Sequence, residues 1–154
     1  MSGMHEERNM MTMPDEQTIE VTLPNKIGYE RIAMACSASF AKILGFVPER
    51  IEDLKTAVSE ACLNAVEHGN KGHPEARVVV TLDFKDDAIT VCVQDEGEGL
   101  EEWPQIPNIY EKISKLESPR GLGIFLIEQL VDQVDFHKKS DKGHIVSMVI
   151  KLAR

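Results

Sequence analysis

No apolar run in this 154-residue chain approaches the length of a bilayer span, so a membrane-crossing protein is not expected. The first residues, Met1 to Pro14, lack the apolar core of a secretory signal. They are polar and rich in methionine, so residues 1–16 are expected to be a disordered tail ahead of one folded domain at 17–154. Cysteine is scarce. Cys36, Cys62 and Cys92 are odd in number, far apart and set among apolar neighbours. That pattern suits small core side chains in a reducing cytoplasm better than disulfides or a metal cluster. Basic residues are also few: 17 Lys and Arg against 26 Asp and Glu leave a formal charge of −9. Such a surface disfavours a nucleic-acid backbone, although a local site for a nucleotide can oppose the global sign. Finally, no G-x-x-x-x-G-K-[ST] stretch occurs, which excludes the phosphate loop of P-loop NTPases.

What is present is patterning of two periods. Thr18 to Leu23 alternates like a half-buried strand and is broken by Pro24 and Asn25. Ile32, Cys36, Phe40 and Ile43 recur at helical steps within Gly28–Leu44, and Gly45 ends that run. A second helix is expected over Glu49–His68, with Ile51, Leu54, Val58, Ala61 and Ala65 as its apolar stripe, Pro48 at its start and Gly69 at its end. Val78 to Phe84 and Ile89 to Val93 alternate cleanly around a turn at Lys85-Asp86-Asp87 and predict a hairpin. After Asp95 the periodicity dissolves into a long stretch holding Pro104, Pro107 and Pro119, in which Tyr110 to Leu116 could form a short helix. A helix from Gly121 to about Gln133 and strands near Val134–Lys138 and His144–Leu152 complete the chain. There is no internal repeat and no linker. Strands and helices do not alternate one for one, so the expectation is an α+β fold: a mixed, mostly antiparallel sheet with helices on one face.

Three segments carry candidate chemistry. Glu60, Asn64 and His68 stand at i, i+4 and i+8 and line one side of the second helix. Their neighbours are apolar or small, and Asn is a poor helix-interior residue. Asp95-Glu96-Gly97-Glu98-Gly99 follows a strand; its glycines allow close backbone approach, and an Asp there can accept from an exocyclic amine such as that of adenine. Arg120-Gly121-Leu122-Gly123 directly precedes a helix, whose first N–H groups and dipole suit a polyphosphate. Taken singly, each has an ordinary reading: a solvated helix face, an acidic turn, a glycine-bearing helix start.

Taken in order, they resemble the three nucleotide boxes of the GHKL ATPase superfamily, over about Thr18 to Leu152. Within it, Val58-Ser59-Glu60-Ala61 with Asn64-Ala65 and His68-Gly69, and Gly121-Leu122-Gly123-Ile124-Phe125-Leu126-Ile127, look like the small anti-sigma-factor serine/threonine kinases. The resemblance implies the two-layer Bergerat-type ATP-binding fold, with ATP and Mg²⁺ as cofactors. It implies Asn64 as the magnesium ligand and Glu60 as general base toward the incoming hydroxyl. Asp95 would read the adenine amine above a floor of Gly97 and Gly99. Arg120, Gly121, Leu122 and Gly123 would hold the phosphates, Leu100 to Pro119 would be the nucleotide lid, and His68 would be at most a pocket contact.

The implied function is phosphorylation of a STAS-domain anti-sigma antagonist in a partner switch controlling a sigma factor, by a homodimer in which Arg31 contacts partners. The alternative is an ATP-gated binding module without phosphotransfer. Retention of both Glu60 and Asn64 favours the kinase. One departure stands out: many relatives begin the last strand with Gly-Thr, whose hydroxyl supports the adenine-binding Asp. Here the residues are Gly143-His144-Ile145, and Ser147 or a water is expected to substitute.

Overall fold

The computed structural model describes residues 17–71, 73–97, 119–139 and 142–153. Strand β1 spans Ile19–Pro24, helix α1 Glu30–Ile43 and helix α2 Pro48–Asn64. Strands β2 (Arg77–Lys85) and β3 (Ala88–Gln94) form the expected hairpin, turning on Asp86 and Asp87, both at positive φ. Helix α3 (Pro119–Leu130), strand β4 (Gln133–Lys138) and strand β5 (His144–Lys151) follow. The helix expected over Tyr110–Leu116 lies outside the described residues.

The five strands lie in the order β1-β2-β3-β5-β4, and every pairing is antiparallel. The expected mixed sheet is therefore fully antiparallel. The reason is the last hairpin. β3, α3 and β4 form a crossover that leaves β3 and β4 pointing the same way, and β5 folds back between them.

Alternation sends one face of each central strand inward. Val78, Val80 and Leu82 of β2, Ile89, Val91 and Val93 of β3, and Val146, Met148 and Ile150 of β5 are all buried. They meet Leu54, Ala57, Val58 and Ala61, the fully buried stripe of α2. Each Val or Leu so buried stabilises the fold by about 1.5–3 kcal/mol relative to exposure. α2 is the middle helix of its layer, flanked by α1 and α3. Cys62 joins this core and its thiol is pushed up to about 12, chiefly by burial; Cys36 and Cys92 are half-buried, and all three are free thiols.

Local chemistry sets the helix ends. Gly45, at φ +91°, closes α1, its N–H donating to Lys42 O while the Phe46 N–H donates to Ala41 O. Pro48 opens α2, where its missing N–H costs nothing. Arg50, buried in the first turn of α2, donates to Asp132 Oδ2 at 2.6 Å, and the same oxygen accepts from the Lys151 N–H at 2.7 Å. This clamp joins the start of α2 to the chain just beyond α3.

The second helix departs from expectation at its far end. Its α-helical part stops at Asn64, and Ala65–Gly69 form a single π turn, closed by the Asn70 N–H on Ala65 O at 2.7 Å. A widened turn of this kind is frequent at functional sites. Here it delivers Gly69 to the end of β3.

Candidate functional site

α2 and α3 run antiparallel, held by the Arg50–Asp132 pair at one end, so the first turns of α3 lie against the last turns of α2. Gly123 is the point of contact. A Cβ on Gly123 would sit 2.9 Å from Glu60 Oε1 and 3.7 Å from Asn64 Nδ2. The bare α-carbon thus opens space directly over the two polar side chains of α2. Two of the three segments singled out in the sequence converge there.

The polar groups at this point are unusual for a helix interior. Glu60 is half-buried, and its carboxyl lies above the usual carboxylate range, because of burial first and the negative charge of Glu67 second. Asn64 is 6% exposed, and its Nδ2 has no hydrogen-bond partner among the described residues. An orphaned buried amide costs about 1–3 kcal/mol unless a ligand satisfies it. Among the described residues no cluster of three or more His, Cys, Asp or Glu could enclose a metal. Magnesium, where a nucleotide brings it, is commonly held by one or two protein oxygens and the nucleotide's phosphates. The amide of Asn64 offers one oxygen for a cation and one NH₂ for a phosphate oxygen.

Asp95 terminates β3 and is 4% exposed. Its Oδ1 accepts from the His144 N–H at 3.1 Å and from the Gly97 N–H at 3.2 Å, while its own N–H donates to His144 O at 3.0 Å. Its Oδ2 lies over Gly69, where any Cβ would collide with the carboxylate. A Cβ on Gly97 would strike Gly69 O, and one on Gly143 would strike Asp95 O. Three glycines from three segments therefore pack closely around Asp95, Gly69 against its carboxylate and Gly143 against its backbone carbonyl. Burial pushes the Asp95 carboxyl up; the charge of His144 and the hydrogen bonds from His144 and Gly97 oppose that rise without cancelling it.

Of the two substitutes expected for the missing Thr, Ser147 is not the one. Ser147 does not reach the site: it is three residues along β5 from His144, hence on the other face of the sheet, where Cys92 Sγ donates to its Oγ at 3.7 Å. The support comes from His144 itself. Its backbone N–H holds Asp95 Oδ1, and its buried imidazole places Nδ1 3.7 Å from the same oxygen.

Arg120, Gly121 and Leu122 lie in the first turn of α3, which starts at Pro119, two residues earlier than the sequence pattern predicts. Their N–H groups are among those with no acceptor inside the helix. Glu98, Gly99 and the lid expected over Leu100 to Pro119 fall outside the described residues, apart from Pro119. His68 is half-buried within the π turn. A broad cleft of ≈ 1040 Å³ is lined by Gly69, Asn70, Gln94, Gly97 and Lys139 among others, and neither Glu60 nor Asn64 lines it. The unpartnered Asn64 amide and the raised Glu60 carboxyl lie beside Gly123, outside the lining of this cleft.

Sequence reasoning missed two residues here. Asn70, fully buried, follows the segment expected to end at Gly69, and polar identity alone does not separate it from a loop asparagine. His144 was read only as an absent Thr.

The family model for the histidine kinase-like ATPase domain matches residues 23–150. A serine-protein kinase RsbW from Listeria innocua is 39% identical over 143 residues, covering 90% of this chain and 88% of the relative. A serine-protein kinase RsbW from Oceanobacillus iheyensis is 34% identical over 131 residues, covering 82% and 83%. Among solved structures, the RsbU and RsbW domains of a Mycobacterium tuberculosis protein superpose with a TM-score of 0.62 at 19% identity, over 87% of this chain and 31% of that one, a likeness of fold. With the family model matching residues 23–150 and relatives of 34–39% identity aligned over most of the chain, this protein belongs to the histidine kinase-like ATPase domain family.

Proposed function

We propose that this chain binds Mg·ATP between the end of α2, the Asp95 turn and the start of α3, and phosphorylates a serine or threonine on a STAS-domain antagonist. The switch so formed would control a sigma factor in the cytoplasm. The chain is an ATP-dependent protein serine/threonine kinase, a class that rests on relatives aligned over most of its length. The observation that carries the site is the bare Gly123 facing both Glu60 and the orphaned Asn64 amide.

Bound Mg·ATP supplies the phosphoryl group and the counter-charge to its oxygens. Asn64 holds the cation through its amide oxygen. Asp95 accepts from the adenine amine, and Gly97 and Gly99 leave room for the base. The first-turn N–H groups of α3, with Arg120, Gly121, Leu122 and Gly123, face the phosphates. Glu60 orients the acceptor hydroxyl and takes its proton. Burial, then the charge of Glu67, raise the Glu60 carboxyl above the usual range, and a raised value brings a base closer to the proton it must accept. His68 is a pocket contact without chemistry.

The partner assignment follows the resemblance to anti-sigma-factor kinases. Ile27, Tyr29 and Ile32 are exposed around the exposed Arg31 at the start of α1, and Ile19 lies on the outermost strand. This apolar rim suits a homodimer contact or a docked partner. The test is transfer from labelled ATP to a STAS-domain protein encoded near this gene. Wild type labels the acceptor on Ser or Thr. Glu60→Gln keeps nucleotide binding and transfers about 10²–10⁴-fold more slowly. Transfer by Glu60→Gln at the wild-type rate removes Glu60 as base; binding of ATP and partner without any labelling by wild type makes the chain a gated binding module.

A further inference from the structure

Asn70 is fully buried, and its side chain touches three separate segments. Asn70 Oδ1 accepts from the Glu96 N–H at 2.8 Å, one residue past Asp95. Its Nδ2 donates to Arg77 O at 3.0 Å, at the start of β2, and to Asn25 Oδ1 at 3.1 Å, in the turn that leaves β1. Asn25 Nδ2 in turn donates to His73 O at 3.0 Å. The backbone partners at each end settle both amide orientations, because an N–H can only donate and a carbonyl can only accept. The result is one directed chain: Glu96 N–H, Asn70, Asn25, His73 C=O. Glu96 is held from its other side as well, its Oε1 accepting from the Arg77 N–H at 2.9 Å. Gly97 lies against the same residue, since a Cβ there would come within 2.8 Å of Asn70 Cα.

We propose that Asn70 is the positioning residue of the adenine turn, and that through Asn25 it ties the setting of Asp95–Glu96–Gly97 to the corner from which α1 departs. The proposal rests on reading Asp95 as the adenine contact. Asn70 touches no reacting atom in that reading. It fixes the peptide following Asp95, and Asp95 Oδ1 is itself held by the Gly97 N–H two residues on. Freeing the Glu96 peptide would let the Gly97 N–H leave Asp95, and the carboxylate would lose its aim. The Asn25 end of the chain lies two residues from Ile27 and four from Tyr29, at the edge of the exposed apolar rim. Any contact that shifts this corner is passed to the adenine turn by two hydrogen bonds, and nucleotide occupancy is passed back in equal measure.

The decisive variant is Asn25→Ala, which touches no residue of the nucleotide site. On the full chain, calorimetry with Mg·ATP and Mg·GTP and amide hydrogen exchange without nucleotide are compared. Loss of one buried hydrogen bond in the relay should weaken ATP about fivefold, GTP less, and so narrow the preference for adenine. Exchange at the Glu96 amide should accelerate. Asn25→Asp, which keeps the acceptor for Asn70 Nδ2, should restore most of both. Asn25→Ala combined with Asn70→Ala should cost less than the two single effects added, as for members of one chain. A merely structural role would lower the melting temperature and leave the ATP-to-GTP ratio and Glu96 exchange at wild-type values; that result overturns the proposal. If wild type binds no ATP, the adenine reading falls and the proposal with it. If wild type binds ATP and Asn25→Ala matches it in both measurements, the adenine reading stands and Asn70 is not its positioning residue.

Discussion

Gly123→Ala sets stability against activity, and the structure determines the sign of each. Gly123 is the fifth residue of α3, so its replacement by Ala removes a glycine from a helix and is worth about 0.5–1 kcal/mol in the folded state. The added methyl would lie 2.9 Å from Glu60 Oε1, a few tenths of an ångström too close, and 3.7 Å from Asn64 Nδ2, an ordinary contact. The crowded atom is the tip of a flexible, half-buried side chain, so Glu60 can swing away at little cost. The fold should therefore keep or gain stability, with a melting temperature unchanged or raised by about 2–4 °C for each kcal/mol in a chain of this size. Phosphotransfer should suffer, because the methyl fills the opening over Glu60 and Asn64 and displaces the base. A misplacement approaching 1 Å costs about 10²-fold in rate. The assay pairs thermal unfolding with single-turnover transfer from labelled ATP. A variant that is as stable as wild type and transfers at the wild-type rate would refute the convergence of the two helices on the reacting centre. A variant that unfolds would refute the judgement that Glu60 is free to move.

Three further outcomes follow from particular contacts. Asn64→Ala should remove most magnesium-dependent ATP binding in calorimetry while leaving the fold intact, since it deletes a buried amide already lacking a partner for Nδ2. His144→Ala keeps the backbone bond to Asp95 but removes the imidazole whose charge opposes the effect of burial, so the Asp95 carboxyl should rise further. ATP affinity, which needs the ionised acceptor, falls as pH drops through the Asp95 value; in His144→Ala that fall should begin at a higher pH than in wild type, measured by titration across pH. Arg50→Met removes the guanidinium from Asp132, an exposed residue whose carboxylate still accepts from the Lys151 N–H, and should cost about 1.5–3 kcal/mol, seen as a lower denaturant midpoint.

Much of the fold is local and was legible in the chain. Clean alternation from Val78 to Val93 marked β2 and β3, because an antiparallel sheet covered on one face must alternate. The stripe of Leu54, Val58 and Ala61 marked α2 for a similar reason, and Gly45 and Pro48 punctuated its approach. The order of Glu60, Asn64, Asp95 and Gly123 along the chain was enough to name the family, since spacing within a helix or at a strand end is a property of the sequence. What the tertiary structure alone decided is every relation between distant segments. The insertion of β5 between β3 and β4 made the sheet wholly antiparallel, and no periodicity within either strand carries that information. Gly123 was a glycine near a helix start until α3 lay against Glu60. His144 was an absent hydroxyl until its N–H and ring met Asp95, 49 residues away. Asn70 was a loop amide until three segments closed on it. Hydrogen bonds between such residues depend on where whole elements pack, and packing is set by the sum of buried surfaces across the fold rather than by any local pattern.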